Sequence, residues 1–98
     1  MKIVYHLGAR LDVLEAVEHY ENEDSPALAD RFRAELEHFI DRIAQMPLSY
    51  REVHPGVRRV NLNKFPYHVL FRIVDAETVK ILTIKHNKRR PLYGMKRR

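Results

Sequence analysis

Apolar and polar residues alternate in two runs between Val57 and Ile73. Val60 and Leu62 alternate with Arg59 and Asn61, and beyond Lys64-Phe65-Pro66 the residues Tyr67, Val69, Phe71 and Ile73 alternate with His68, Leu70 and Arg72. A period of two is the signature of half-buried strands. The spacing predicts strands over Val57 to Asn63 and Tyr67 to Val74, and a third over Val79 to Lys85. The connections Lys64-Phe65-Pro66 and Asp75-Ala76-Glu77 are so short that neighbouring strands must run antiparallel. A short first strand is expected over Lys2 to His6, ending before Gly8.

The pattern between these strands is helical. From Ala9 to Glu21 the apolar residues Val13, Ala16, Val17 and Tyr20 recur at spacings of three and four, with Asp12, Glu15, Glu18 and Glu21 read as a solvated outer face. Asn22 to Ser25 reads as a turn. Ser25-Pro26 then opens a second helix, because Ser caps free amides and Pro fits the first helical position. Leu28, Ala29, Phe32, Leu36, Phe39, Ile40 and Ile43 keep the 3.6-residue period to Met46, and Pro47 ends it. The pairs Arg31–Glu35 and Arg33–Glu37 have the spacing of i, i+4 ion pairs. Leu48 to Gly56, with Pro55 and His54, reads as a surface loop. The expected fold is α+β in the order βααβββ, an antiparallel sheet covered on one face by a helical hairpin, and residues 1–98 form a single domain.

Across the Asp75 turn, a three-residue loop sets Val74 opposite Thr78, Ile73 opposite Val79, Phe71 opposite Ile81 and Val69 opposite Thr83. Pairing Leu62 with Tyr67 extends the apolar face. The other face then carries Arg59, Asn61, His68, Arg72, Lys80 and His86 on a floor of Leu70, Leu82 and Ile84. Arginine suits bidentate phosphate contact and histidine moves protons near neutral pH, so this face is the candidate site.

Charge sharpens that reading. Residues 1–50 carry 5 basic and 10 acidic side chains, whereas residues 51–98 carry 13 basic and 3 acidic. Segregation of this size points to a basic face for a polyanion or an acidic partner. The last segment, K-H-N-K-R-R-P-L-Y-G-M-K-R-R, adds Lys88, Arg89 and Arg90 beside Tyr93, a combination suited to backbone contact and base stacking. The chain has no cysteine, and its six histidines lack an H-x-x-x-H pair, so no metal site is expected. The nucleotide-binding glycine loops and the G-x-S-x-G elbow are absent, and no cofactor is expected. Met1 to Gly8 lacks a continuous apolar run and no segment reaches membrane-spanning length, so the expected location is cytoplasmic.

The motifs E-A-V-E-H-Y-E, L-A-D-R-F-R-A-E-L, G-V-R-R-V-N-L, N-K-F-P-Y-H-V-L-F-R and H-N-K-R-R-P resemble the RelE/ParE superfamily of type II toxin-antitoxin systems, often labelled plasmid stabilisation proteins. The resemblance spans nearly the whole chain. It implies a toxin that arrests growth and is held by a cognate antitoxin in a toxin–antitoxin hetero-oligomer. RelE-like members cleave mRNA on the ribosome, and ParE-like members inhibit DNA gyrase. The expectation is ribosome-dependent mRNA cleavage, an endoribonuclease reaction by 2′-OH attack without a metal. The alternatives are gyrase inhibition and a non-catalytic RNA-binding module. On the nuclease reading Arg72 matches the arginine ending the family's third strand and stabilises the phosphate, His86 is the acid or base, and Tyr93 stacks or transfers a proton. Arg59, His68, Lys80, Lys88, Arg89 and Arg90 then contact nucleic acid.

Overall fold

The computed structural model describes residues 1–23 and 25–98. Strand β1 (Lys2–Tyr5) leads into helix α1 (Leu7–Glu23) and helix α2 (Pro26–Gln45). A 3-10 turn (Pro47–Ser49) and strands β2 (Glu52–His54), β3 (Val57–Asn61), β4 (Tyr67–Asp75) and β5 (Thr78–His86) follow. The predicted turn at Asn22 to Ser25 includes Asp24, which lies outside the described residues. Ser25 caps α2 as its sequence implies, its Oγ accepting from Leu28 N at 3.1 Å with Pro26 at the first helical position. Among the described residues neither expected i, i+4 pair on α2 is an ion pair. Glu35 instead turns to the β3–β4 connection and accepts from Lys64 N at 3.0 and 3.1 Å.

The sheet order is β1-β5-β4-β3-β2. Two of its features go beyond the expected antiparallel sheet. The segment read as a loop contributes β2, paired with β3 and ending at His54. Strand β1 runs parallel to β5, from Lys2 opposite Thr78 to Tyr5 opposite Ile81. That arrangement follows from the intervening chain, since the helical hairpin and three strands separate β1 from its neighbour.

The helices cover one face. Phe32 from α2 lies edge-on to Phe65 and Tyr67, with centroids 5.4 and 5.1 Å away, and Tyr20 from α1 joins them. Val69, Phe71, Val79 and Ile81 complete this layer, each fully buried. The register agrees with the apolar pattern at Phe71 opposite Ile81 and Ile73 opposite Val79, and then departs from it. Leu70 pairs with Thr83, so Leu82 is an extra residue in β5. Beyond this bulge the parity of β5 reverses. Val69 faces Ile84 rather than Thr83, Ile84 joins the helix-side core, and His86 follows it. A second irregularity near the β4–β5 turn sets Asp75, not Val74, opposite Thr78.

The outer face is not an open sheet. Val57, Leu70 and Leu82 are buried in a second apolar cluster beneath Met95, because the chain after β5 folds back in successive turns over the strands. Gly94 makes this approach possible. It has φ 73°, and a Cβ there would lie 2.2 Å from Thr83 Oγ1.

Phe32 lies where both helices meet the sheet, so Phe32→Ala removes the ring that three elements share. The expected loss is about 3–5 kcal/mol. Urea denaturation reads this as a lower midpoint with an unchanged slope.

Candidate functional site

The returning segment is tied down by one carboxylate. Asp12 in α1 is 6% exposed. Its Oδ2 accepts from Ile84 N at 3.1 Å and from Arg97 Nη1 at 2.7 Å, and its Oδ1 accepts from Tyr93 OH at 2.6 Å. Arg97 Nη1 also donates to Leu82 O at 3.1 Å. Two guanidiniums lie over the Tyr93 ring, Arg89 at 4.6 Å and Arg97 at 5.0 Å from its centroid. Arg89 in turn pairs with Glu15. Burial pushes the Tyr93 phenol above its ordinary pKa, and donation to Asp12 pushes it the same way. Burial works against the Arg97 charge, but hydrogen bonds to Asp12 and Tyr93 outweigh it and raise its pKa.

The sequence pattern places Asp12 on a solvated helix face, whereas the structure buries it. The signal was available in the spacing: Asp12 stands three residues after Ala9 and four before Ala16, both in the core stripe. A carboxylate inside that stripe is buried only if it has partners.

On the outer face the cations form two groups. At one end Arg59, His68 and Lys85 lie together. His68 pairs across the ladder with Lys85, and its Nδ1–H donates to Asn87 Oδ1 at 2.7 Å. His68 is 3% exposed and its pKa is lowered, first by burial and then by the charges of Arg59 and Lys85. Lys85, 4% exposed, donates to Pro91 O at 2.9 Å, and burial with the Arg59 charge lowers its pKa. Arg59 donates from Nε to Asn61 Oδ1 at 2.9 Å, and burial followed by the Arg51 charge lowers its pKa. Lys85 escaped the sequence reading because only the bulge at Leu82 turns it outward.

At the other end Arg72 pairs across the ladder with Lys80. Lys80 Nζ donates to Arg98 O at 2.7 Å. Arg72 borders a cleft with His54, Pro55, Met95, Lys96 and Arg98. Arg97, Lys96, Arg98 and His54 were not singled out from the sequence, and the terminal basic run carried no periodicity that separates inward from outward residues.

The proposed catalytic trio is not brought together. His86 lies on the helix side of the sheet, its ring 5.1 Å from that of Tyr67, in a cavity of 30 Å³ lined also by Asp12, Glu15 and Arg89. Its Nδ1 accepts from Lys88 N at 3.0 Å. Arg72 is on the opposite face and five residues further along β4 than Tyr67, the partner of His86, a separation of about 17 Å along the strand. Tyr93 is held by Asp12 rather than by either. Lys88 and Arg90 are exposed in the turns after β5. Among the described residues no three His, Asp or Glu side chains come together in a way that could hold a metal ion.

A helical hairpin on a five-stranded mixed sheet is also the fold of a chain from the "Chromosomal ParDE TA system from P. aeruginosa". The TM-score is 0.77 at 21% identity, covering 88% of this chain and 95% of that one. The "Toxin ParE2" sequences of two Mycobacterium tuberculosis strains are 26% identical over 86 residues, 88% of this chain and 81% of theirs. Residues 3–91 match the family described as ParE toxin of type II toxin-antitoxin system, parDE. The chain belongs to this ParE toxin family.

Asp12→Ala leaves Arg97, Tyr93 and Ile84 N without their shared acceptor and lowers stability by about 3–5 kcal/mol. Tyr93→Phe, which keeps the ring but loses the hydrogen bond to a carboxylate, costs about 1.5–3 kcal/mol. Denaturant titration of both variants checks the order.

His68 also gives a pH dependence. Its folded pKa lies below the unfolded value of about 6.5. The unfolded chain therefore holds more protons in the window below that value, and stability falls as pH falls through it. His6 acts in the same sense: its pKa is lowered by burial, Arg97 and Lys80, and its Nδ1 accepts from Gly8 N at 2.8 Å. His68→Gln should reduce the difference in urea midpoint between about pH 7.5 and about pH 5.5 without abolishing it.

Proposed function

We propose that this toxin arrests growth by inhibiting DNA gyrase, without cutting RNA, and is neutralised by a cognate antitoxin. The observation that carries this reading is the separation of His86 and Tyr93 from Arg72. Cleavage by 2′-OH attack needs a base, an acid and a cation around one phosphate, within hydrogen-bond reach of the reacting atoms. Of the two histidines on the side of Arg72, His68 is buried, committed to Asn87 and biased to its neutral form, and His54 shares the Arg72 cleft with Lys96 and Arg98, with no acidic side chain in its lining. Family membership supports the same choice, since ParE-like toxins are the gyrase-directed branch of the superfamily.

A protein partner is supported by the other side of the molecule. Leu7, Leu11 and Leu14 stand at helical spacing on α1 and are 69%, 56% and 61% exposed. Leu14 continues into a groove of 520 Å³ lined by Tyr5, Val13, Leu36 and Ile40, with Arg10 and Arg33 on its rim. Apolar surface of this kind on a small basic protein fits an amphipathic antitoxin segment.

Two parallel assays test the target. Purified toxin should block supercoiling by purified gyrase and leave mRNA on ribosomes intact, and His86→Gln should retain the block. Cleaved mRNA with undiminished supercoiling would sink the proposal. RNA binding with neither effect would identify a non-catalytic module.

A further inference from the structure

We propose that the cleft formed by Arg72, Lys96, Arg98 and His54 is a binding site for a backbone phosphate of nucleic acid. The cleft has a volume of 620 Å³, and no acidic side chain lines it. The ion pairs among the described residues are Arg58–Glu52, Arg89–Glu15 and Arg97–Asp12, so none of Arg72, Lys96 and Arg98 is paired with an Asp or Glu side chain. Lys80, opposite Arg72 in the ladder, adds a like charge where strands are about 4.8 Å apart. Lys80 Nζ itself is taken up by Arg98 O at 2.7 Å, so it adds to the positive field beside the cleft rather than a contact inside it.

Arg72 is placed for the role. Its Nε is buried and has no hydrogen-bond partner, while the partly exposed side chain borders the cleft. The turn before β3 makes room for its guanidinium. Gly56 has φ 73°, and a Cβ there would lie 2.8 Å from Arg72 Nη1. Met95 forms an apolar wall over Leu70 and Leu82, which strengthens charge interactions inside the cleft.

The ligand class follows from the charge and its extent. A single carboxylate is matched by one cation, whereas this site holds three and continues along the face. Arg59, partly exposed on the same face, stands opposite Leu70, about 7 Å along β4 from Arg72. A repeating phosphodiester chain spans the cleft and Arg59. The site binds phosphate and needs no cleavage chemistry, so it stands whichever enzyme the toxin targets.

Fluorescence anisotropy with labelled oligonucleotides of about 20 nucleotides tests this, with single-stranded DNA, duplex DNA and RNA as separate arms. Affinity should fall with salt in at least one arm. Arg72→Gln and Lys96→Gln should each reduce the slope of log K against log salt by about 0.7–0.9, while Arg31→Gln on the helical layer should not. Gly56→Ala keeps every charge but displaces the Arg72 guanidinium, and it should weaken binding as Arg72→Gln does. Thermal melts confirm that each variant is folded. A complementary readout is the Arg72 Nε–H resonance, which should shift on titration with inorganic phosphate. Slopes unchanged in folded Arg72→Gln and Lys96→Gln, or polyglutamate competing as well as the oligonucleotides, would overturn the proposal.

Discussion

The Asp12 carboxylate answers a problem created by the length of β1. That strand covers β5 only as far as Ile81, so Leu82 O and Ile84 N stand on a strand edge with no neighbouring strand. Buried backbone groups must be paired, and an open edge invites another chain. Asp12 accepts from Ile84 N, and Arg97 donates to both Asp12 and Leu82 O. One ion pair thereby closes the edge, fixes α1 over β5 and anchors the chain after β5. A buried charge pair of this kind offsets its own desolvation only through such additional hydrogen bonds, and Tyr93 supplies one more.

The extra residue at Leu82 is the second constraint. Before it, β5 alternates as the apolar pattern implies, with Val79 and Ile81 beneath the helices. After it, Leu82 and Thr83 both belong to the outer side, Ile84 turns inward, Lys85 turns outward, and His86 goes with Ile84. A one-residue change in parity moves a histidine from one face of the sheet to the other. It also places Thr83 under Gly94, where the close approach of the returning backbone replaces solvent.

These two features explain what could be read from the chain and what could not. The helices, their start at Ser25-Pro26 and stop at Pro47, and the pairing of Phe71 with Ile81 all follow from local periodicity and capping. So does the outward position of Arg72. The position of His86 does not, because Leu82 as a bulge and Leu82 as an ordinary strand residue look alike in an apolar run. Strand β2 was hidden between Pro55 and the 3-10 turn, too short to show alternation. Asp12 was legible but misjudged, since its spacing from Ala9 and Ala16 outweighed its resemblance to the neighbouring glutamates. His54, Lys96 and Arg98 meet only through the fold of the returning segment.

The basic ending therefore has two uses, divided residue by residue. Arg97 and Arg89 are consumed internally, one by Asp12 and the other by Glu15 and the Tyr93 ring. Lys96 and Arg98 flank Arg97 in sequence but face the Arg72 cleft. Consecutive residues in a chain of tight turns point in different directions, so a run that looks uniform in composition becomes an anchor on one side and a charged surface on the other. The anchor makes the surface possible. Without Arg97 and Tyr93 held at Asp12, the adjacent cations have no fixed geometry, and the entropy of ordering them is no longer offset by the fold.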